Sequence, residues 1–409
     1  MKSRISLIFL AVILAVSLVL FSSACSKKAP GKTEILFGAL NSMTGEHVME
    51  GAEQKWGYEQ VVADINASGG IMVNSLGKKL PIRLVFEDDE STPEGGAAAM
   101  EKLIKVDKVD LILSTDVGPI NDAAATVADK YKIYYAGSGG WWGEEFAADN
   151  LTWSSCMFFT AASAAEVPFQ IWDLQPAAQR PQRIATLAMN DVGGHGLSDG
   201  WAALAKVHNY NIVSTDFFAV GTTDLSSYLL KIKAANADAL LWIGPSTDGI
   251  TLIKQIKAQN LNLKYIHGWM GMWANDFPTA LGSDANYVVH DGFWSASLPY
   301  PGNTKLDQEF RAAHNGIDSI TIGLYYAAVQ VVAQAIENAG SLDSAAIRDA
   351  VYGHTFKGTT MGDVTYDAKG YCFVPSVAMQ WWNGQRMLLW PHFESTNWQL
   401  KWTPPWDQR

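Results

Sequence analysis

The sequence predicts an α/β protein made of two doubly wound, parallel-sheet lobes, and three observations point there. Short, continuously apolar runs, the pattern of strands buried on both faces, alternate with stretches whose apolar residues recur at helical spacing. Each run ends in a loop of small polar residues. The whole grammar then occurs a second time along the chain.

In order, Glu34–Leu40 reads as the first strand and Asn41–Gly45 as the loop after it. The helix that follows reaches Ala67 and stops at Ser68-Gly69-Gly70, a glycine C-terminal signal. Leu80–Phe86 is the next strand, ending in the acidic run Glu87–Glu90, which lacks the pattern of a calcium loop and reads as a solvated strand end. Thr92-Pro93-Glu94 then opens a helix, with a capping hydroxyl, proline at the first helical position and an acid in the first turn. Val109–Leu113 and Ile133–Tyr135 are strands flanking a helix over Ile120–Tyr131. Their loops, Ser114–Gly118 and Gly137–Gly140, lie at the carboxyl edge of the sheet, where open α/β folds bind ligands. Glycine lets backbone N–H groups approach a ligand, the hydroxyls add donors, and Trp141 and Trp142 follow with broad apolar faces.

The second series starts after Trp153–Phe159. Arg183–Met189 is a strand, Asp191–Gly196 a glycine-rich loop and Leu197–His208 a helix. Ile212–Phe218, helix Ser226–Ala235 and strand Ala239–Ile243 come next, the last ending in Gly244-Pro245-Ser246-Thr247. Helix Gly249–Asn260 and strand Lys264–His267 complete the unit.

Lys2 and Arg4 before the charge-free run Ile5–Phe21 and the small residues Ser22–Ala24 make 1–24 a secretory signal, an uncleaved anchor being the alternative. Cys25 then resembles the lipidated first residue of a bacterial lipoprotein, and 25–33 a polar tether, although Ser22 stands where such signals usually carry leucine. Ile320–Ile336 is uncharged but interrupted by Gln330 and Gln334, so it reads as a buried helix. A net charge of −11 argues against nucleic-acid binding by phosphate neutralisation. The eight histidines form no HExxH or CxxC partnership, GSGG at 137–140 lacks the first glycine of a nucleophile elbow, and no phosphate loop occurs. No cofactor or metal is expected, and a binding protein is preferred to an enzyme.

Five segments carry a family resemblance: FGALNSMTGEHVMEGAEQKWGYEQVVADINASGGI, LPIRLVFEDDESTPEGGAAAMEKLIKVDKVDLIL, NDVGGHGLSDGW, DGFWSASLPYPG and IGLYYAAVQVVAQAIENAGSLDSAAIRDAV. In order and spacing they resemble the type I periplasmic binding proteins of ABC importers, in the branched-chain amino acid and amide (leucine/isoleucine/valine-binding) group. The resemblance spans Glu34–Gln385. It implies two lobes joined by a three-strand hinge, with crossings near 156–160, 294–298 and 371–376. One lobe would hold 34–155 and 297–370, the other 159–294 and 377–409. It also implies an exported monomer that delivers a small-molecule ligand to ABC permease membrane subunits and touches the membrane by its lipid anchor. A sensory receptor domain of the same fold is the alternative, and the end of the sequence at Arg409 favours transport.

The expected ligand set is Ser114, Thr115, Asp116, Gly137, Ser138, Gly139, Trp141, His195, Ser246, Trp269 and Met270. By resemblance, Ser114, Thr115, Ser138 and Gly139 hold a ligand carboxylate or similar polar head; capping of the next helix is the plain alternative for Ser138. His195 takes a position where relatives commonly carry tyrosine, and otherwise reads as an exposed loop residue. Trp141, Trp142, Trp269 and Trp273 would supply an aromatic wall. Amino-acid binders of the group carry an acid near Gly268–Ala274 for the ligand ammonium, and none stands there, which argues against a simple aliphatic α-amino acid. Glu46, Glu50, Asp116, Glu144 and Asp276 are substitutes. Cys156 and Cys372 fall at the first and third crossings, so a disulfide beside the hinge is expected if their side chains share a face.

Overall fold

The computed structural model describes residues 31–394 and 398–409, so the signal segment and Cys25 lie outside the described residues. Its first sheet is wholly parallel, in the order Tyr371–Phe373, Ser154–Phe158, Tyr135–Ser138, Leu111–Leu113, Ile35–Asn41, Ile82–Asp88. The second sheet repeats that order with Val289–Gly292, Tyr265–Met270, Ala239–Gly244, Ile184–Met189 and Ile212–Phe218, and adds the antiparallel hairpin Val377–Trp382 and Gln385–Trp390 at one side. Both are doubly wound sheets whose first strand lies inside, so each has a crevice at its carboxyl edge where the strand order reverses.

Local chemistry accounts for the element ends. Thr92 accepts from Gly95 N at 3.0 Å with Pro93 behind it, as the sequence predicts. Asp191–Gly196, expected as a loop, is instead the first turn of helix Val192–Val207, because Asp191 caps it by accepting from Gly194 N at 2.7 Å. The glycine at 194 is needed for that seat: a Cβ there would stand 1.9 Å from the Met189 carbonyl oxygen. Gly137 and Ser138 likewise belong to a strand rather than a loop, paired with Cys156 and Met157.

The chain passes between the sheets three times. After Ser154–Phe158 it enters helix Ala161–Asp173, which packs on Val192–Val207 in the second lobe. After Val289–Gly292 it returns to helix Asn303–Ala313, whose Lys305 reaches Asp64 at 3.0 Å and whose Phe310 meets Trp56 in the first lobe. After Tyr371–Phe373 it goes back to Val377–Trp382. Helix Ile322–Ala339 is buried along most of its length against Val48–Ala67 and Tyr135–Ser138. Among the described residues, no helix is long and apolar enough to cross a membrane.

The expected disulfide is not formed: Cys156 and Cys372 are both free and buried. Their strands are adjacent, but Cys156 is opposite Tyr371 and Cys372 opposite Met157. That offset of one residue sends the two thiols to opposite faces of the sheet. The Cys156 thiol donates instead to the Trp141 carbonyl at 3.2 Å.

Candidate ligand-binding cleft

The carboxyl edges of the two sheets face each other. Trp142, after the first-lobe strand Tyr135–Ser138, meets Trp269, near the end of the second-lobe strand Tyr265–Met270, with ring centroids 6.0 Å apart. Phe158 and Phe159 at the first crossing lie 5.7 and 5.4 Å from Trp142, and Trp273 and Phe293 extend the cluster on the other side. Most of these pairs are edge-to-face or tilted, an arrangement that adds about 0.5–1.5 kcal/mol per pair beyond area burial. Three of the four tryptophans expected in an aromatic wall therefore stand in this cluster. Trp141 does not: it is fully buried, edge-on to Phe146 at 5.1 Å and near Tyr135, so its ring is first-lobe core and leaves the ligand set.

The first-lobe loops bring Ser114, Thr115, Asp116, Ser138 and Gly139 together. The Ser114 hydroxyl donates to Ser138 O at 3.0 Å and accepts from Ser138 N at 2.8 Å, stitching the two strand ends. Gln54 and Tyr58, from helix Val48–Ala67, both donate to Ser114 O, at 2.8 and 3.0 Å. Tyr58 also lies 3.5 Å from the Ser138 hydroxyl, and burial pushes its phenol up to about 12. The Thr115 hydroxyl is buried without a partner. Gly139 has φ +74°, and a Cβ there would stand 2.4 Å from Asp116 Oδ1, so glycine is required for the carboxyl to fit.

Asp116 is recessed, and its Oδ1 has no hydrogen-bond partner. Burial raises its carboxyl to about 8, with the Tyr325 hydroxyl opposing and Glu50 and Glu53 adding to the rise. Tyr325, wholly buried on Ile322–Ala339, faces Asp116 but falls short of hydrogen-bond geometry. Tyr58, Tyr325, Gln54 and Glu53 escape sequence reasoning. Their only signal is a polar group at helical positions otherwise occupied by core residues.

In the second lobe His195 is exposed, stacked 4.0 Å over Phe217 and bonded to Asn190 Oδ1 at 2.9 Å, so its own lobe holds it. Met270 is 37% exposed with left-handed backbone, while Trp269 is buried in the interlobe cluster. Ser246 opens helix Ser246–Ala258, and its side chain lies outside the described residues. Of the substitute acids, Glu50 and Asp116 act on one another. Glu144 is engaged elsewhere, accepting from Ala161 N at 3.0 Å. The run Glu87–Glu90 is not simply solvated: Asp88 accepts from Met43 N and the Thr44 hydroxyl, and buried Asp89 from the Ser42 hydroxyl, fixing the loop after the first strand. A cavity of about 260 Å³ lies away from these loops, where Ser295–Ser297 and Asp318 meet Arg386 of the edge hairpin.

Residues 34–384 match the model of a family described as periplasmic binding protein. The chain belongs to that family. This binding protein is 26% identical over 354 residues to "Leu/Ile/Val-binding protein homolog 1" of Brucella suis, covering 85% of this chain and 90% of the relative. In fold it is similar to the branched-chain amino acid transporter substrate-binding protein LivJ of Streptococcus pneumoniae, solved with isoleucine (TM-score 0.71, 20% identity, 87% of this chain and 98% of the other). It is also similar to an ABC-transporter solute-binding protein of Rhodopseudomonas palustris, solved with 3,4-dihydroxybenzoic acid (TM-score 0.70, 18% identity, 87% and 95% coverage).

Proposed function

We propose that this periplasmic binding protein is the solute-capturing subunit of an ABC importer, exported and tethered by lipidated Cys25 as a monomer. Its two lobes, 34–155 with 297–370 and 159–294 with 377–409, would close on a small organic solute and present it to membrane permease subunits. The observation that carries this reading is the apposition of the two carboxyl edges at Trp142 and Trp269. A solute touching both edges favours the closed form by its differential affinity for the two states. Exposed apolar side chains support it further. Met43 and Met49 (75% exposed) stand at the first-lobe edge, and Val192 (91%) and Met270 at the second. Such groups at a cleft rim favour a solute with an apolar body. The serines of the loops bond to backbone and Tyr58 rather than to a histidine base, which supports capture over catalysis.

A thermal-shift screen of amines, amino acids, amides, and aromatic and aliphatic acids tests the reading. A solute at a hundred times its Kd should add about 2.7 kcal/mol to apparent stability. A hit that is chemically consumed during the scan would mean an enzyme instead.

A further inference from the structure

Among the described residues, the charged groups acting on the acid at the centre of the first-lobe loops are other acids. Asp116 Oδ1 and the Tyr325 hydroxyl are buried polar atoms without a hydrogen-bond partner, and Tyr325 is wholly buried. Tyr325 faces Asp116 from Ile322–Ala339. From helix Val48–Ala67, Glu50 and Glu53 add negative potential and Tyr58 a neutral phenol. Glu145 stands beyond Gly118 on the remaining side. Arg386, which acts on Glu53, is itself engaged by Asp318, Asn275 and the Trp273 carbonyl. A buried carboxyl left unpaired in a negative field disfavours an anion and favours a positively charged donor.

We propose that this site takes the protonated amino group of a primary organic amine, with Asp116 as its counter-ion and the Tyr325 hydroxyl as a further acceptor. The inference rests on the solute-capture reading and reverses the polarity that family resemblance assigns to these loops, which is a carboxylate site. The body of the amine is apolar: Trp142, two residues past the loop, offers a half-buried ring, and Met43 and Val48 stand exposed at the rim. An aromatic face next to a bound cation adds a favourable quadrupole term.

Proton linkage follows. Burial holds the free carboxyl at about 8, and a bound ammonium favours its ionised form, so below that value binding expels a proton. Affinity should strengthen as pH rises toward 8, by up to about tenfold per pH unit.

The test uses isosteric probes on the mature chain: 2-phenylethylamine, 2-phenylethanol and 3-phenylpropionate, with isopentylamine, isopentanol and 4-methylpentanoate as the aliphatic set. Calorimetry at pH 6 and 8, in two buffers of different ionisation heat, reads affinity and proton release together. The expected result is that an amine binds at least tenfold more tightly than its alcohol and acid partners, with proton release at pH 6. Asp116→Asn, checked for native circular dichroism, should lose at least tenfold for the amine. Tyr325→Phe, which keeps the packing, should lose less. Preference for the acids, or amine binding unchanged in Asp116→Asn, overturns the assignment and leaves solute capture standing. Silence from all six probes beside a hit in the broader screen that carries no primary amine also overturns it. Silence in both overturns the capture reading.

Discussion

Arg386 gives the most direct stability test, because its pairing crosses from one lobe to the other. It sits on the edge strand Gln385–Trp390 of the second sheet with its side chain 3% exposed. Its guanidinium donates to Asp318, Asn275 Oδ1 (2.8 Å) and the Trp273 carbonyl, and lies 4.3 Å from the Trp381 ring centroid. Asp318 belongs to the segment that leads into first-lobe helix Ile322–Ala339. Beside it, Glu53 accepts the Ser319 and Thr321 hydroxyls; burial raises its carboxyl and Arg386 opposes the rise. Arg386→Met keeps much of the volume but leaves Asp318 to Arg311 alone (3.3 Å) and strands the two second-lobe acceptors. Breaking a buried pair from one side costs about 3–5 kcal/mol. Asp318 is 20% exposed, which puts the expectation at the lower end, about 3 kcal/mol. Urea unfolding of the ligand-free protein measures the loss. Arg386→Lys should recover less than half, since one ammonium cannot match a planar fork with several acceptors. The double variant with Asp318→Asn should fall short of the sum of the single losses by at least about 1 kcal/mol. A loss below about 1 kcal/mol for Arg386→Met, or full additivity, would refute the reasoning.

Three further outcomes are expected. His267 Nε2 and Asp291 Oδ2 pair at 2.7 Å with side chains 2% and 0% exposed, and Tyr265 reaches the other ring nitrogen; Asp291→Ala should cost about 3–5 kcal/mol in urea melts, and a loss under about 1 would show that the histidine is content alone. Because the folded-state pKa of Asp116 is raised, its contribution to stability is full below the ordinary carboxyl range and is lost as pH rises toward about 8. Asp116→Asn should therefore melt progressively higher than the natural protein between pH 5 and 8, and a pH-independent gap would contradict that burial. In protein beginning at Ser26, denatured without reductant, thiol titration should find both Cys156 and Cys372 free, whereas one bridge would mean a different strand register.

What the sequence determined by itself was local: period, punctuation and repetition. Continuous apolar runs identify strands buried on both faces, Thr92-Pro93 and Ser68-Gly69-Gly70 mark helix ends, and the recurrence of the unit shows two lobes. These signals act within one or two turns of chain, and the elements read from them stand where they predict, apart from a turn or two at the ends, whereas helix Ala161–Asp173 and the hairpin Val377–Trp382 and Gln385–Trp390 were not read. The small polar loops were legible for the same reason: Ser114, Thr115, Asp116, Ser138 and Gly139 adjoin strand ends, and strand ends in a parallel sheet share one edge.

Tertiary packing decided everything that depends on convergence. Trp141 and Trp142 are indistinguishable in sequence, yet one turns onto Phe146 in the core and the other crosses to Trp269. Cys156 and Cys372 reach neighbouring strands, but a register offset of one residue, set by how the hinge strands pair, separates their faces. Tyr58 and Tyr325 occupy helical positions that read as core, and only the packing of Val48–Ala67 against Ile322–Ala339 brings their hydroxyls to Ser114 and Asp116. A side chain's own neighbourhood in sequence sets which face it occupies. The charge and dryness of the site come from segments far apart in the chain, and only the folded molecule brings them together.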